Sequence, residues 1–127
     1  MKPLRLLCTL RHGRRLSIIA AAPPVLVERL GRVAVIRLNR PESLNAMTGE
    51  MGDAFAYAVD ALSTETDEVG AVVVTGAGGA FSAGGDMKFL DARAHDSPWR
   101  NAQIMRRFYE RFLRVRRLPV PVIAGKG

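Results

Sequence analysis

The sequence is poor in the residues that most often build metal, redox and disulfide sites. Among 127 residues there is one cysteine, Cys8, and there are two histidines, His12 and His95. One cysteine excludes an internal disulfide framework and any multi-cysteine metal site. With so few soft ligands a zinc site is not expected either. One tryptophan and two tyrosines leave little aromatic surface for stacking on bases. No apolar run approaches the roughly 18 residues that a membrane span needs. Acidic residues are also scarce: Lys and Arg outnumber Asp and Glu by 19 to 12.

That net charge of +7 suggests a nucleic-acid binder at first. Its distribution argues otherwise. Lys2, Arg5, Arg11, Arg14 and Arg15 crowd the first 24 residues, which hold no acid. A second cluster runs from Arg100 to Arg117, opposed only by Glu110. The charge is a basic tail plus a basic helix face, without interleaved aromatics, so no nucleic-acid partner is expected. The tail, bounded by Pro23 and Pro24, has the composition of an organelle transit peptide, or of a start site placed too far upstream. The expected organisation is therefore an extension over 1–24 and a domain over 25–127, in the cytoplasm or the mitochondrial matrix.

What is present is one small domain's worth of patterned sequence, 48% apolar. Val25 to Arg29 and Arg32 to Leu38 alternate, with a turn expected at Leu30-Gly31, so a hairpin is read here. Ala34, Ile36 and Leu38 share one of its faces. From Met47 to Leu62 apolar residues recur at three and four, which is a helix period. Ala71 to Thr75 is a short β-branched run, the form of a buried parallel strand. Ser97-Pro98 is a helix start, and the following helix, with Ile104, Phe108, Phe112 and Val115 on its stripe, runs to about Arg117. Val120 to Ala124 reads as a second buried strand. The order of elements spells α/β.

The chemistry concentrates in Gly76 to Asp86, which leaves the carboxyl end of the apolar strand, where α/β proteins place ligands. Dinucleotide binding fails, because the GxGxxG pattern needs glycine where Phe81 stands. No Gly-Lys-Ser/Thr follows, so a Walker loop fails too. An oxyanion hole remains open. Small residues at Ala83, Gly84 and Gly85 would expose backbone amides, each worth roughly 3 kcal/mol to a developing oxyanion. Asp86 is expected to cap the next turn rather than to move protons. A glycine-rich turn that merely enters a helix is the competing reading.

Three blocks in order make the pattern more specific. Ala34-Val35-Ile36-Arg37-Leu38-Asn39-Arg40-Pro41-Glu42-Ser43-Leu44-Asn45-Ala46-Met47 resembles the opening signature of the crotonase superfamily, the enoyl-CoA hydratase/isomerase group. Ala71 to Gly76 followed by Ala80-Phe81-Ser82-Ala83-Gly84-Gly85-Asp86-Met87-Lys88 is similar to its second signature. Leu118 to Ala124 resembles the strand after the next helix.

The resemblance implies a ββα-repeat spiral fold and an acyl-CoA substrate of fatty-acid or related metabolism. It implies an enolate-type intermediate whose thioester oxygen is held by two amides, one of them from Gly85. Asn45, Ala46, Ala83, Gly84 and Asp86 then fall at or beside the substrate. No separate cofactor is implied, since coenzyme A is part of the substrate, and no metal. Trimers or dimers of trimers are implied for the full-length form. The second amide and the acid/base carboxylates of the family would lie beyond Gly127. The chain thus reads as the N-terminal half of such an enzyme, inactive alone; the alternative is a non-catalytic acyl-CoA-binding or interaction module.

Of the other polar residues, His95 is expected in a solvated loop, and Glu110 on a helix surface in local pairs. The arginines of 100–117 read as a solvated face, and Trp99 fits either a core or a pocket.

Overall fold

The computed structural model describes residues 21–65 and 67–126. The basic tail up to residue 20, with Cys8 and His12, lies outside the described residues.

Two strands open the fold, β1 (Val25–Leu30) and β2 (Val33–Leu38), paired antiparallel with Val27 opposite Ile36. The turn between them is Gly31-Arg32, one residue later than the sequence suggested, because Gly31 takes the left-handed conformation (φ +59°) that closes it. A single 3-10 turn, Pro41–Ser43, leads to helix α1 (Gly49–Ser63). Strand β3 (Ala71–Gly76) then pairs parallel to β2, with Leu38 opposite Gly76. Helices α2 (Met87–Ala94) and α3 (Pro98–Leu113) follow, the second prolonged by a 3-10 turn over Arg114–Arg117. Strand β4 (Val122–Ala124) closes a four-stranded sheet of order β1-β2-β3-β4, parallel to β3.

One face of the sheet carries the core. Ala34, Ile36 and Leu38 of β2 and Val72 and Val74 of β3 meet Met51, Phe55, Val59 and Leu62 of α1. Burying side chains of this size contributes about 1.5–3 kcal/mol each. Helix α1 begins two residues later than its apolar period, since Thr48 is the cap: its hydroxyl accepts from the Met51 amide at 3.1 Å. Met47 is left outside the helix and pairs instead with the glycine-rich loop. Gly52, which weakens the helix locally, is explained by packing. A Cβ there would stand 2.8 Å from Arg111 Cδ and 3.1 Å from a Phe112 ring carbon, so glycine lets α3 approach α1.

Aromatic contacts fasten the helices. The Phe55 and Phe112 ring centroids are 5.8 Å apart, and Phe108, the buried residue of α3, stacks on Phe89 of α2 at 4.7 Å. Three arginines of the basic cluster are not merely solvated: Arg100 pairs with Asp96 at 3.8 Å, and two others reach α1. Arg111 Nε reaches Asp53 Oδ1 at 2.5 Å and Arg114 Nε reaches Asp60 Oδ1 at 2.7 Å, so α3 is pinned to α1 by charge as well. Glu110 makes no ion pair among the described residues, so the local pairs expected of it do not form.

Two expectations are corrected. Strand β4 is exposed, not buried, with Ile123 at 57% of its full exposure. It has a partner strand on one side only, which is why an apolar run does not here become a buried strand. Trp99 is 74% exposed and is not part of the core. Helix α2 had no apolar period to announce it, as its eight residues bury none of their number.

Candidate functional site

The glycine-rich loop starts where β3 ends. Gly76 must be glycine: a Cβ would fall 2.2 Å from Ala80 O, 2.4 Å from Phe81 O and 2.6 Å from Asn45 Nδ2. The chain folds back over its own strand end at that point, and no side chain fits beneath it. Gly78 takes φ +75° and Gly84 φ +87°, which only glycine adopts without strain.

A second segment holds the loop in place. Leu44 and Asn45 adopt φ +52° and +54°. Asparagine tolerates that region; leucine does not favour it, so the surrounding hydrogen bonds must hold it there. Asn45 is 0% exposed. Its Oδ1 accepts from Arg40 N at 2.8 Å, and its Nδ2 donates to Ala77 O and to Ala80 O, both at 2.9 Å. Its backbone N–H donates to Arg40 O at 2.8 Å. Its carbonyl accepts the Ser82 hydroxyl at 2.8 Å. Every polar group of Asn45 is thus spent inside the protein, and its side chain braces both ends of the turn over residues 77–80.

The far end of the loop is zipped to the residues after Asn45. Ala83 N donates to Leu44 O at 2.9 Å, Met47 N to Gly84 O at 2.7 Å, and Asp86 N to Met47 O at 3.1 Å. The last two bonds make a parallel bridge between Met47 and Gly85. In this parallel bridge Met47 uses its own N–H and C=O for both bonds, whereas on the loop side the flanking residues Gly84 and Asp86 make them, so the N–H and C=O of Gly85 face away from Met47. Gly84 N donates to Ser82 Oγ at 3.1 Å. Of the four amides from Ala83 to Asp86, three are therefore committed, and only the Gly85 N–H has no partner among the described residues.

The residues after Gly85 favour an anion at the same point. Asp86 caps α2, accepting from Phe89 N at 3.0 Å, as expected for a brace. The start of a helix carries partial positive charge, which attracts negative charge there. Leu90, one turn on, packs its methyl groups 3.3–3.4 Å from where a Gly85 Cβ would stand. A cavity of about 240 Å³ opens beside the loop, bounded by Leu38, Phe55, Val74 and Phe112, with Met47 and Ser82 shared between loop and cavity. Ala46 is half-buried, its amide held by Ser43 O at 3.1 Å. His95 is exposed at the C-terminus of α2.

The structure brings Asn45, Ala46, Ala83, Gly84, Gly85 and Asp86 into one cluster, although 37 residues separate Ser82 from its partner Asn45. Sequence reasoning missed Ser82 as a participant. Its hydroxyl is one polar group in an otherwise apolar or backbone-only stretch, which was the available signal.

A parallel-sheet α/β unit with a glycine-rich loop at the end of β3 defines a crotonase-type fold. The sequence profile described as enoyl-CoA hydratase/isomerase matches residues 33–126, and the chain belongs to that family. An enoyl-CoA hydratase of Mycobacterium tuberculosis is 30% identical over 110 residues, covering 87% of this chain and 41% of the relative. A putative enoyl-CoA hydratase of Thermus thermophilus is 39% identical over 105 residues, covering 80% and 39%. Among solved structures, an enoyl-CoA hydratase/carnithine racemase from Magnetospirillum magneticum superposes with a TM-score of 0.72 at 29% identity, over 82% of this chain and 39% of that one. An enoyl-CoA hydratase from Mycobacterium smegmatis gives 0.68 at 38% identity, over 81% and 39%. The chain spans about two fifths of the length of these relatives.

Proposed function

We propose that this protein binds acyl-CoA thioesters and that the Gly85 N–H donates to the thioester oxygen as negative charge develops on it. The single observation that carries the proposal is the unspent Gly85 amide, isolated by the Met47 bridge while its neighbours are engaged. A fixed donor of this kind lowers the cost of an enolate-type intermediate by roughly 3 kcal/mol. Ala46, Ala83 and Gly84 form the wall beside it, and Asn45 and Asp86 act on the ligand through the loop they hold. The reaction class is hydration or isomerisation of an enoyl-CoA, as the names of the relatives suggest. Coenzyme A arrives as part of the substrate. Assembly as a trimer or hexamer belongs to the same proposal for the full-length form, and light scattering tests it. A reporter fused to residues 1–24 tests the cytoplasmic or mitochondrial destination.

One observation favours the second reading, a non-catalytic acyl-CoA-binding or interaction module. Asp86 is the one acid in the segments 44–47 and 76–86, and its carboxylate is engaged as a helix cap. General acid/base work needs a carboxyl group free to meet the substrate. The 127-residue chain is accordingly expected to bind acyl-CoA in titration calorimetry and to hydrate crotonyl-CoA little or not at all. Measurable hydration would overturn the inactive-chain part of the proposal, and absence of binding would overturn the site itself.

A further inference from the structure

We infer that Ser82 is the positioning residue of this loop, its hydroxyl holding the Gly84 amide away from the ligand so that the Gly85 N–H alone meets the oxyanion. The inference rests on the proposed role of Gly85 as the oxyanion donor.

A serine hydroxyl has one proton and two lone pairs. Here the proton is committed to Asn45 O at 2.8 Å, so a lone pair is what faces Gly84 N at 3.1 Å. The polarity of the relay is fixed from its buried end. Asn45 cannot turn, because its side chain is tied to Arg40, Ala77 and Ala80. The order Asn45 O, Ser82 Oγ, Gly84 N therefore sets the orientation of the Ala83–Gly84 peptide, the one preceding the peptide that carries the Gly85 N–H.

Gly84 is the residue most in need of such a tether. It sits at φ +87°, and a Cβ on it would meet nothing within 4 Å. Glycine is required there for its backbone angle and not by crowding, so no neighbouring side chain restrains it. Glycine is also the residue with the most backbone freedom to lose. The carbonyl of Gly84 is held by Met47 N at 2.7 Å, and among the described residues its N–H is held only by Ser82. Remove the hydroxyl and the half-buried Gly84 N–H and the carbonyl of buried Asn45 lose their partner together. The Gly84 N–H is then free to swing toward the same anion, or to let the Gly85 amide drift.

The test uses the whole 127-residue chain with Ser82→Ala and Ser82→Thr. Without ligand, amide exchange by NMR is expected to show Gly84 protected in the parent. Ser82→Ala should accelerate it about tenfold, the loss of one ordinary hydrogen bond, and Ser82→Thr should restore it. With cinnamoyl-CoA as probe, polarisation of the thioester carbonyl should red-shift the bound chromophore in the parent. Ser82→Ala should diminish that shift while leaving the affinity for coenzyme A alone unchanged, a split that general loosening of the fold would not produce. If Ser82→Ala does not fold, Ser82→Cys, with a weak hydrogen-bonding thiol of similar size, is read the same way. Unchanged Gly84 exchange, or an undiminished shift, overturns the inference. A parent that neither binds nor shifts the probe overturns the Gly85 reading instead, and the exchange experiment still decides whether Ser82 holds Gly84.

Discussion

Replacing Asn45 by alanine tests the brace beneath the site. The substitution removes three side-chain hydrogen bonds, to Arg40 N, Ala77 O and Ala80 O, at a position with no solvent exposure. Each bond contributes about 1 kcal/mol net, and more when its partner is stranded away from water. Alanine also tolerates the left-handed backbone less well than asparagine, by about 1 kcal/mol. The sum is about 4 kcal/mol, a large part of the roughly 5–15 kcal/mol that holds a domain together. For a domain of this size the melting temperature should fall by about 20 °C. Urea unfolding followed by far-UV circular dichroism measures it, as a drop in midpoint with little change in slope. Asn45→Asp sharpens the test. It keeps one acceptor for Arg40 N but turns the second oxygen toward two carbonyls, so the folded carboxyl favours its protonated form and its pKa lies above the unfolded value of about 3.9. Below that value the group adds no pH dependence. Above it the folded state holds the proton longer, so the variant's stability falls as pH rises, until the folded carboxyl ionises too. A loss below about 1 kcal/mol in Asn45→Ala would mean that the partners find other donors and acceptors, and the bracing argument would be wrong.

Gly76→Ala should disrupt the loop more than any other single methyl addition, since its Cβ meets two backbone oxygens within 2.4 Å; loss of acyl-CoA binding in calorimetry, with the sheet retained by circular dichroism, is the expected result. Asp86→Ala should cost about 1 kcal/mol in unfolding experiments through loss of the α2 cap, and Asp86→Asn much less, because asparagine caps as well. Equal losses from both would point to a role for the charge. Phe108→Ala, which empties a buried ring site between Phe89 and Phe112, should destabilise by about 3–5 kcal/mol. Arg111→Ala should change stability by less than about 1 kcal/mol, as its pair with Asp53 is partly solvated and screened, and the effect should shrink further in high salt.

Some of the fold was legible without coordinates because its signals are local. Alternation placed Ala34, Ile36 and Leu38 on one face, which the structure shows to be the core face, and the period of three and four placed α1. Ser97-Pro98 marked the start of α3, where the Ser97 hydroxyl accepts from Arg100 N. Helix α2 was not legible, since none of its residues is buried and no apolar stripe marks it. Strand β4 was recognised but misplaced in depth, because burial depends on what lies beside a strand and not on its own residues.

The site divides in the same way. The sequence by itself determined that Gly76 to Asp86 is a strand-end loop rich in glycine, unsuited to a dinucleotide or Walker site. It also marked Asp86 as a cap for the turn that follows. It could not determine which amide is free. That is a property of pairing between segments distant in the chain: Leu44 to Met47 consume the amides of Ala83 and Asp86, Ser82 consumes that of Gly84, and the bridge geometry turns the N–H of Gly85 outward. Every residue of this loop carries the same backbone donor, so composition and spacing cannot tell one amide from the next. The resemblance of the motif pointed to Gly85; only the tertiary structure supplied the physical reason, by engaging the amides of Ala83, Gly84 and Asp86 on either side of it and turning its own away from Met47.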